Sequence, residues 1–111
     1  MTKKDIILTT VKKRIKSVDP KAKIILFGSR ARNDAKKDSD WDFLILTEAT
    51  PDRTFRNKIY DELFELELET DEVVTGIVQN IESWNEYSNT PIYQNILRDG
   101  VEVESLIHNT Q

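Results

Sequence analysis

The sequence contains no cysteine and a single histidine, His108, among its 111 residues. Without cysteine the chain has no disulfide bond, no thiolate metal site and no cysteine nucleophile. One histidine in a polar C-terminal tail excludes most zinc sites and histidine-based triads, and we expect His108 to be exposed to solvent. Any catalysis by this chain would therefore use carboxylates or hydroxyls.

Long apolar runs and an excess of turn residues are absent as well. No run approaches the roughly 18 consecutive apolar residues of a membrane-spanning helix, and the polar first five residues are unlike a secretion signal. Three glycines, three prolines, 38% hydrophobic and 32% charged residues are typical of an ordinary folded chain, here one domain over residues 1–111. We expect a cytoplasmic domain without a membrane partner.

The charges are divided along the chain. Residues 1–37 contain 12 Lys and Arg against three Asp and Glu, a balance of +9, whereas residues 38–111 contain four against 17, a balance of −13. The net charge of −4 argues against a nucleic-acid partner, which it would repel, but leaves room for a small phosphate ligand. We interpret the acidic segment 52–69 as a solvated helix face, with docking of a basic partner as the alternative.

Periodicity, caps and turn residues predict an alternation of helices and strands without linkers or repeats. Predicted helices cover residues 4–18, the stretch from the Thr50-Pro51 cap to Glu69, a short turn at 81–87 and the stretch from the Thr90-Pro91 cap to Gly100. Predicted strands cover residues 23–27, 41–46 and 72–78, with a weak edge strand at 101–107. The basic connector 30–37 is long enough for about two helical turns.

Asp40 and Asp42 carry the clearest chemical signal. Carboxylates at positions i and i+2 of a strand point to the same face, where two like charges are costly unless a cation or hydrogen-bond donors compensate. Oxygen ligands without histidine or cysteine suit Mg²⁺ or Mn²⁺, which proteins usually hold with one or two carboxylates and substrate phosphates. The pair therefore predicts a divalent metal site that works together with a phosphate ligand.

Gly28 and Ser29 follow the predicted strand 23–27 and are the candidates for binding that phosphate. Backbone N–H groups at the start of a helical segment and a serine hydroxyl form an anion site, and glycine lets the backbone come close. Arg30 is a further candidate because its charge could neutralise phosphate. A P-loop is excluded, since no Gly-Lys-Ser/Thr follows at the required spacing.

Residues 38–42 also allow two plainer interpretations, a calcium loop and an acidic turn. A calcium loop beginning at Asp38 would need glycine and glutamate where Phe43 and Ala49 stand. An acidic turn explains Asp38, but not Asp42, whose unpaired carboxylate inside a strand would be expensive. The metal site is the preferred interpretation.

The stretch from Ile25 to Leu46, with Gly28-Ser29, a ten-residue spacer and Asp40-x-Asp42, resembles the minimal nucleotidyltransferase domains of the DNA polymerase β-like nucleotidyltransferase superfamily. The resemblance implies an α/β (α+β) fold, a mixed β-sheet of three to four strands with helices packed on it. It also implies transfer of a nucleoside monophosphate to a hydroxyl with release of pyrophosphate. By position, Gly28 and Ser29 would hold the triphosphate, and Asp40 and Asp42 would ligate two Mg²⁺ ions, with Mn²⁺ as the alternative.

The same resemblance implies a third carboxylate on the next strand. Counting back from Trp84 places that position near Val73, which makes Glu72 the candidate and Asp71 its alternative. With only two carboxylates the metal would bind more weakly, and activity could be low or absent.

Free-standing domains of this size resemble antitoxins that transfer AMP from ATP to a tyrosine of a HEPN-domain ribonuclease toxin. The resemblance thus implies ATP as substrate and a HEPN-like toxin as partner. Two alternatives remain: a non-catalytic module of this fold that neutralises a partner protein, and a nucleotidyltransferase acting on a small molecule of the aminoglycoside kind. The base preference and a homo-oligomeric state are left open.

Overall fold

The computed structural model describes residues 2–107, so the expected exposure of His108 lies outside the described residues. The elements in chain order are α1 (Lys3–Val18), β1 (Lys23–Phe27), α2 (Ser29–Arg32), β2 (Trp41–Thr47), α3 (Arg53–Thr70), β3 (Val74–Asn80), a 3₁₀ helix (Ser83–Tyr87), α4 (Pro91–Asp99), β4 (Val101–Glu102) and α5 (Val103–Leu106). No helix within residues 2–107 is long and apolar enough to cross a membrane.

Side-chain caps determine where the longer helices begin. At α1, Thr2 Oγ1 accepts from the Asp5 amide and Asp5 Oδ2 accepts from the Thr2 amide, each at 3.1 Å, which forms a capping box. The start of α4 at Pro91 behind the Thr90 cap is confirmed. The predicted Thr50 cap of α3 is wrong: Asp52 accepts from the Phe55 amide at 2.8 Å and starts the helix two residues later.

The four strands form one sheet in the order β3-β2-β1-β4. β1 pairs antiparallel with both β2 and β4, whereas β2 and β3 are parallel and are connected through α3. The sheet is therefore mixed, as the resemblance implies. Gly76 of β3 allows α3 to pack closely, since a Cβ at that position would lie 2.5 Å from Leu63 Cδ1.

The two faces of the sheet are covered differently. On the first face, α1 and α3 pack on the strands and form the large apolar core. Its fully buried members include Ile7, Val11, Ile15, Leu26, Phe43, Ile45, Ile59, Leu66 and Val78. On the second face the 3₁₀ helix and α4 cover a smaller cluster, in which Leu44, Leu46 and Ile96 are buried. This second cluster sits over the later part of β2 and leaves the start of that strand to polar residues.

Three predicted elements differ from the structure. The connector after Gly28 forms one short helix, α2, because Asn33 takes a left-handed conformation (φ 63°) and ends it. β3 begins at Val74 rather than at residue 72, because Asp71 ends α3 in a left-handed conformation and the next two residues lead into the strand. Only Val101 and Glu102 of the predicted edge strand pair with β1, and the chain then turns into α5.

Candidate active site

Asp42 lies on the second face, between the last residue of β1 and the second residue of β3. In the sheet register Phe27 pairs with Asp42 on one side, and Thr75 pairs with it on the other. Paired residues project to the same face, and Thr75 Oγ1 donates a hydrogen bond to Asp42 Oδ1 at 2.5 Å. The register therefore places the carboxylate of Asp42 directly where the chain leaves β1.

Gly28, the first residue after β1, is in contact with that carboxylate. Its φ of 76° is a left-handed value that glycine adopts without strain. A Cβ at this position would lie 2.6 Å from Asp42 Oδ2, so a side chain here would displace the carboxylate. The Gly28-Ser29 turn and Asp42 thus form one small unit, and the sequence predicted both halves of it.

Asp40 directly precedes β2 and is exposed to solvent. Residues two apart in an extended chain project to the same side, so we expect Asp40 and Asp42 to face the same way. Trp41 between them points to the first face, where it is 2% exposed. The strand thereby separates a buried indole from two carboxylates that water can reach.

Arg30 does not turn toward this unit, although it was a candidate for binding phosphate. Its guanidinium carbon lies 4.3 Å from the centre of the Trp41 ring, and its Nη2 donates to the carbonyls of Ser39 at 2.9 Å and Lys37 at 3.2 Å. These contacts tie α2 to the connector that leads into Asp40. The structure thus gives Arg30 a supporting role, because its Nε and Nη2 already donate to backbone carbonyls.

Glu72 also lies apart from Asp40 and Asp42, which corrects its assignment as a third site carboxylate. Its Oε1 accepts from the Trp41 indole at 2.9 Å, and its Oε2 from Lys3 Nζ at 3.1 Å, so it belongs with the first face. The Trp41 hydrogen bond lowers the pKa of the Glu72 carboxyl; burial opposes this, and Lys3 and Arg30 act with the indole. The alternative, Asp71, caps the C-terminus of α3.

The position beside Asp42 on the next strand is occupied by Thr75. Because β3 starts at Val74, the residue that pairs with Asp42 is two positions later than the count from Trp84 suggested. Within residues 2–107 no three acidic or histidine side chains come together in a way that could hold a metal ion. The site therefore consists of two carboxylates, one hydroxyl and a glycine-serine turn.

Comparison with known proteins identifies the family. Residues 8–101 match the family model described as a nucleotidyltransferase domain. The chain belongs to this family. Over 78 residues it is 36% identical to a protein of Methanocaldococcus jannaschii named as a protein adenylyltransferase, covering 70% of this chain and 73% of that protein. The predicted nucleotidyltransferase class is confirmed.

Solved structures with this fold include chains of toxin–antitoxin complexes. One complex with AMP-PNP superposes with a TM-score of 0.65 at 22% identity, covering 86% of this chain and 71% of the other. A second holds a tri-AMPylated Shewanella oneidensis HEPN toxin with its MNT antitoxin; the TM-score is 0.58 at 21% identity, with 88% and 69% covered. These likenesses confirm the predicted fold, a mixed sheet with helices packed on it.

The donor set of this nucleotidyltransferase domain fits a divalent cation that is only partly held by protein. Mg²⁺ is usually bound by one or two carboxylates, with waters and substrate phosphates completing its shell. Asp40 and Asp42 supply that number, and the absent side chain of Gly28 leaves room beside Asp42 Oδ2. The arrangement suits a metal ion that arrives with a nucleotide better than a permanently bound one.

Sequence reasoning missed Thr75, although one signal for it was present. In β3 the residues Val74, Gly76 and Val78 lie on the first face of the sheet. Because side chains alternate along a strand, Thr75 lies on the second face, as Asp42 does. Alternation alone could not say which polar residue stood opposite, because that depends on where α3 ends. The start of β3 at Val74 places Thr75 beside Asp42.

Proposed function

We propose that this nucleotidyltransferase uses ATP and Mg²⁺ to transfer AMP to a tyrosine hydroxyl of a HEPN-type toxin, and thereby acts as an antitoxin. The observation that carries the proposal is the meeting of the Gly28-Ser29 turn with Asp42 at the end of β1. The relative named as a protein adenylyltransferase and the fold shared with toxin-bound antitoxins support it. ATP and such a toxin would both be met in the cytoplasm.

The chemistry is an in-line displacement at the α-phosphorus. The acceptor hydroxyl oxygen forms a bond to the α-phosphorus, the bond from that phosphorus to the oxygen bridging to the β-phosphate breaks, and pyrophosphate leaves with the electron pair. The hydroxyl proton passes to water. A bound Mg²⁺ supplies charge neutralisation for the phosphates and orients the attacking and leaving oxygens.

The residues of this chain would position the reactants. The backbone of Gly28 and the hydroxyl of Ser29 would hold the triphosphate beside β2, and Asp40 and Asp42 would hold the cation. Arg30 would keep the connector before Asp40 in place through the Ser39 and Lys37 carbonyls. Such positioning, with electrostatic stabilisation, provides most of the rate enhancement in phosphoryl transfer.

The exposed side of α3 supports a protein partner. Tyr60, Phe64 and Leu68 recur at helical spacing and are 41%, 56% and 65% exposed. Beside them, Asp61 and Glu65 are exposed and take part in no ion pair among residues 2–107. Apolar side chains next to free carboxylates suit a partner surface that carries apolar and basic residues.

The test is label transfer from α-³²P-ATP with Mg²⁺ to a HEPN-type toxin. We expect the wild type to label the toxin, and both Asp40→Asn and Asp42→Asn to reduce the initial rate at least about a hundredfold. Asp38→Asn is the matched control, because it removes the same charge from the same exposed connector. Replacing the acceptor tyrosine of the toxin by phenylalanine should abolish labelling.

A non-catalytic antitoxin of the same fold is the second candidate, favoured by the presence of Thr75 where a third carboxylate would complete the site. The two candidates differ in a cell-growth assay with the toxin. If the Asp40→Asn/Asp42→Asn protein protects cells as well as the wild type and the wild type transfers no label, the protein neutralises by binding alone.

A further inference from the structure

Thr75 holds the carboxylate of Asp42 from one side while Gly28 bounds it on the other. The hydroxyl donates to Oδ1 at 2.5 Å, and Oδ2 faces the Cα of Gly28 where a Cβ would lie only 2.6 Å away. Each oxygen of the carboxylate therefore has a defined neighbour. Since Thr75 is itself exposed and lies outside both apolar clusters, packing does not account for its contact with Asp42.

A hydroxyl at this place has two effects. It restricts rotation of the Asp42 carboxylate, because a hydrogen bond to a charged acceptor is stronger than one between neutral groups. It also leaves the site one negative charge short of a three-carboxylate cluster, which lowers the attraction for a free cation. The first effect favours binding of a metal–nucleotide complex, and the second disfavours binding of the metal alone.

We infer that Thr75 is a positioning residue that orients Asp42 and makes uptake of the divalent cation dependent on the nucleotide. The inference rests on the proposed function, since it assigns the regulation of that same site. In the absence of nucleotide the two carboxylates hold the cation weakly. Once the triphosphate lies at the Gly28-Ser29 turn, its oxygens complete the coordination that the protein leaves open.

The test measures Mn²⁺ binding on the full-length protein with and without a non-hydrolysable ATP analogue, using the EPR signal of free Mn²⁺. Four variants are compared with the wild type: Thr75→Val, Thr75→Ser, Thr75→Asp and, as the control, Thr54→Asp. Thr54 is exposed in the first turn of α3, which follows the C-terminal end of β2. Thr54→Asp therefore adds the same charge as Thr75→Asp, but away from the site. Circular dichroism checks that each variant is folded.

Thr75→Val should weaken binding of Mn²⁺ in the presence of the analogue about tenfold, the usual effect of losing a partner that orients a metal ligand, and Thr75→Ser should restore it. Thr75→Asp should strengthen nucleotide-free Mn²⁺ binding about tenfold or more, because ligand charge raises affinity for a hard cation. Thr54→Asp should change neither affinity.

Two results would overturn the inference while leaving the proposed function intact. One is that Thr75→Val binds Mn²⁺ with the analogue as tightly as the wild type does, or that Thr75→Ser loses as much Mn²⁺ affinity as Thr75→Val. Neither outcome fits a role for the hydroxyl. The other is no gain of nucleotide-free Mn²⁺ binding in Thr75→Asp. If instead the wild type binds no Mn²⁺ even with the analogue, the proposed function itself fails.

Discussion

The two faces of this sheet perform different tasks, and β2 contributes to both. On the first face Trp41, Phe43 and Ile45 are buried beneath α1 and α3. On the second face the same strand begins with Asp42 and continues with buried Leu44 and Leu46, so one end is polar and the other apolar. The first face holds the principal apolar core, and the open end of the second carries the proposed site.

Because of this division, we expect that Asp42 can be substituted with little loss of stability. The carboxylate of Asp42 makes no contribution to the apolar core, and its two neighbours are a hydroxyl and a glycine. A residue one position away on the same strand should therefore behave in the opposite way. Adjacent substitutions in β2 test this contrast directly.

The largest expected effect is on stability, from Phe43→Ala. Phe43 is fully buried on the first face, so its loss should lower the free energy of unfolding by about 3–5 kcal/mol, measured by urea denaturation. Leu97→Ala on α4 is the control, because Leu97 is 69% exposed and its loss should change stability little. Equal effects of the two substitutions would contradict the assignment of the first face as the principal core.

The neighbouring substitution Asp42→Asn should affect activity and spare stability. We expect AMP transfer to fall at least about a hundredfold. The free energy of unfolding should stay within about 1 kcal/mol of wild type, since an amide can still accept from Thr75. Transfer assays and urea denaturation on the same preparation check both. A variant that loses stability as severely as Phe43→Ala would show that the site end of the second face is part of the core.

Gly28→Ala should lower both stability and activity, because Gly28 has a positive φ and lies against the Asp42 carboxylate. A left-handed φ of 76° costs a non-glycine residue about 1–3 kcal/mol, and the added Cβ would push Asp42 Oδ2 aside. We therefore expect a lower thermal midpoint together with reduced AMP transfer. Wild-type values for both would mean that the turn relaxes without moving the carboxylate.

A smaller effect, and one that depends on pH, is expected from Glu72→Gln. The pKa of Glu72 is lowered from its usual 4.5 in the folded state, chiefly by the Trp41 hydrogen bond, so this carboxylate stabilises the fold above that pH. The contribution is lost as the pH falls through the lowered folded-state pKa. Glu72→Gln should cost about 1 kcal/mol at pH 7 and progressively less in acid, measured by urea denaturation.

Glu104→Gln provides the comparison for that prediction. Glu104 also has a lowered pKa, from the hydrogen bond of Lys12, but its side chain is 55% exposed and screened by water. Its substitution should change stability less than Glu72→Gln at pH 7. A larger change for Glu104 would contradict the view that Glu72 acts as a buried support of Trp41.

Local patterns predicted much of this structure. The strand at 23–27 and the Thr90-Pro91 start of α4 could be predicted because neighbouring residues alone decide them. Gly28-Ser29 and Asp40-x-Asp42 were likewise visible as a spacing. The roles of Glu72 and Arg30 could not be predicted in this way, because the contacts of a charged side chain depend on which residues pack against it in the folded chain. Here the Trp41 indole contacts both side chains.

The sequence by itself determined the order of the elements, the two carboxylates and the turn that precedes them, since these rest on short-range periodicity and spacing. Only the tertiary structure decided which residue of β3 stands beside Asp42. The left-handed end of α3 at Asp71 moves the start of that strand to Val74, and each shift of a strand by one residue exchanges the faces of its side chains. Thr75 comes three residues after Glu72, an odd number, so Glu72 lies with the first face and a threonine stands where a carboxylate was expected.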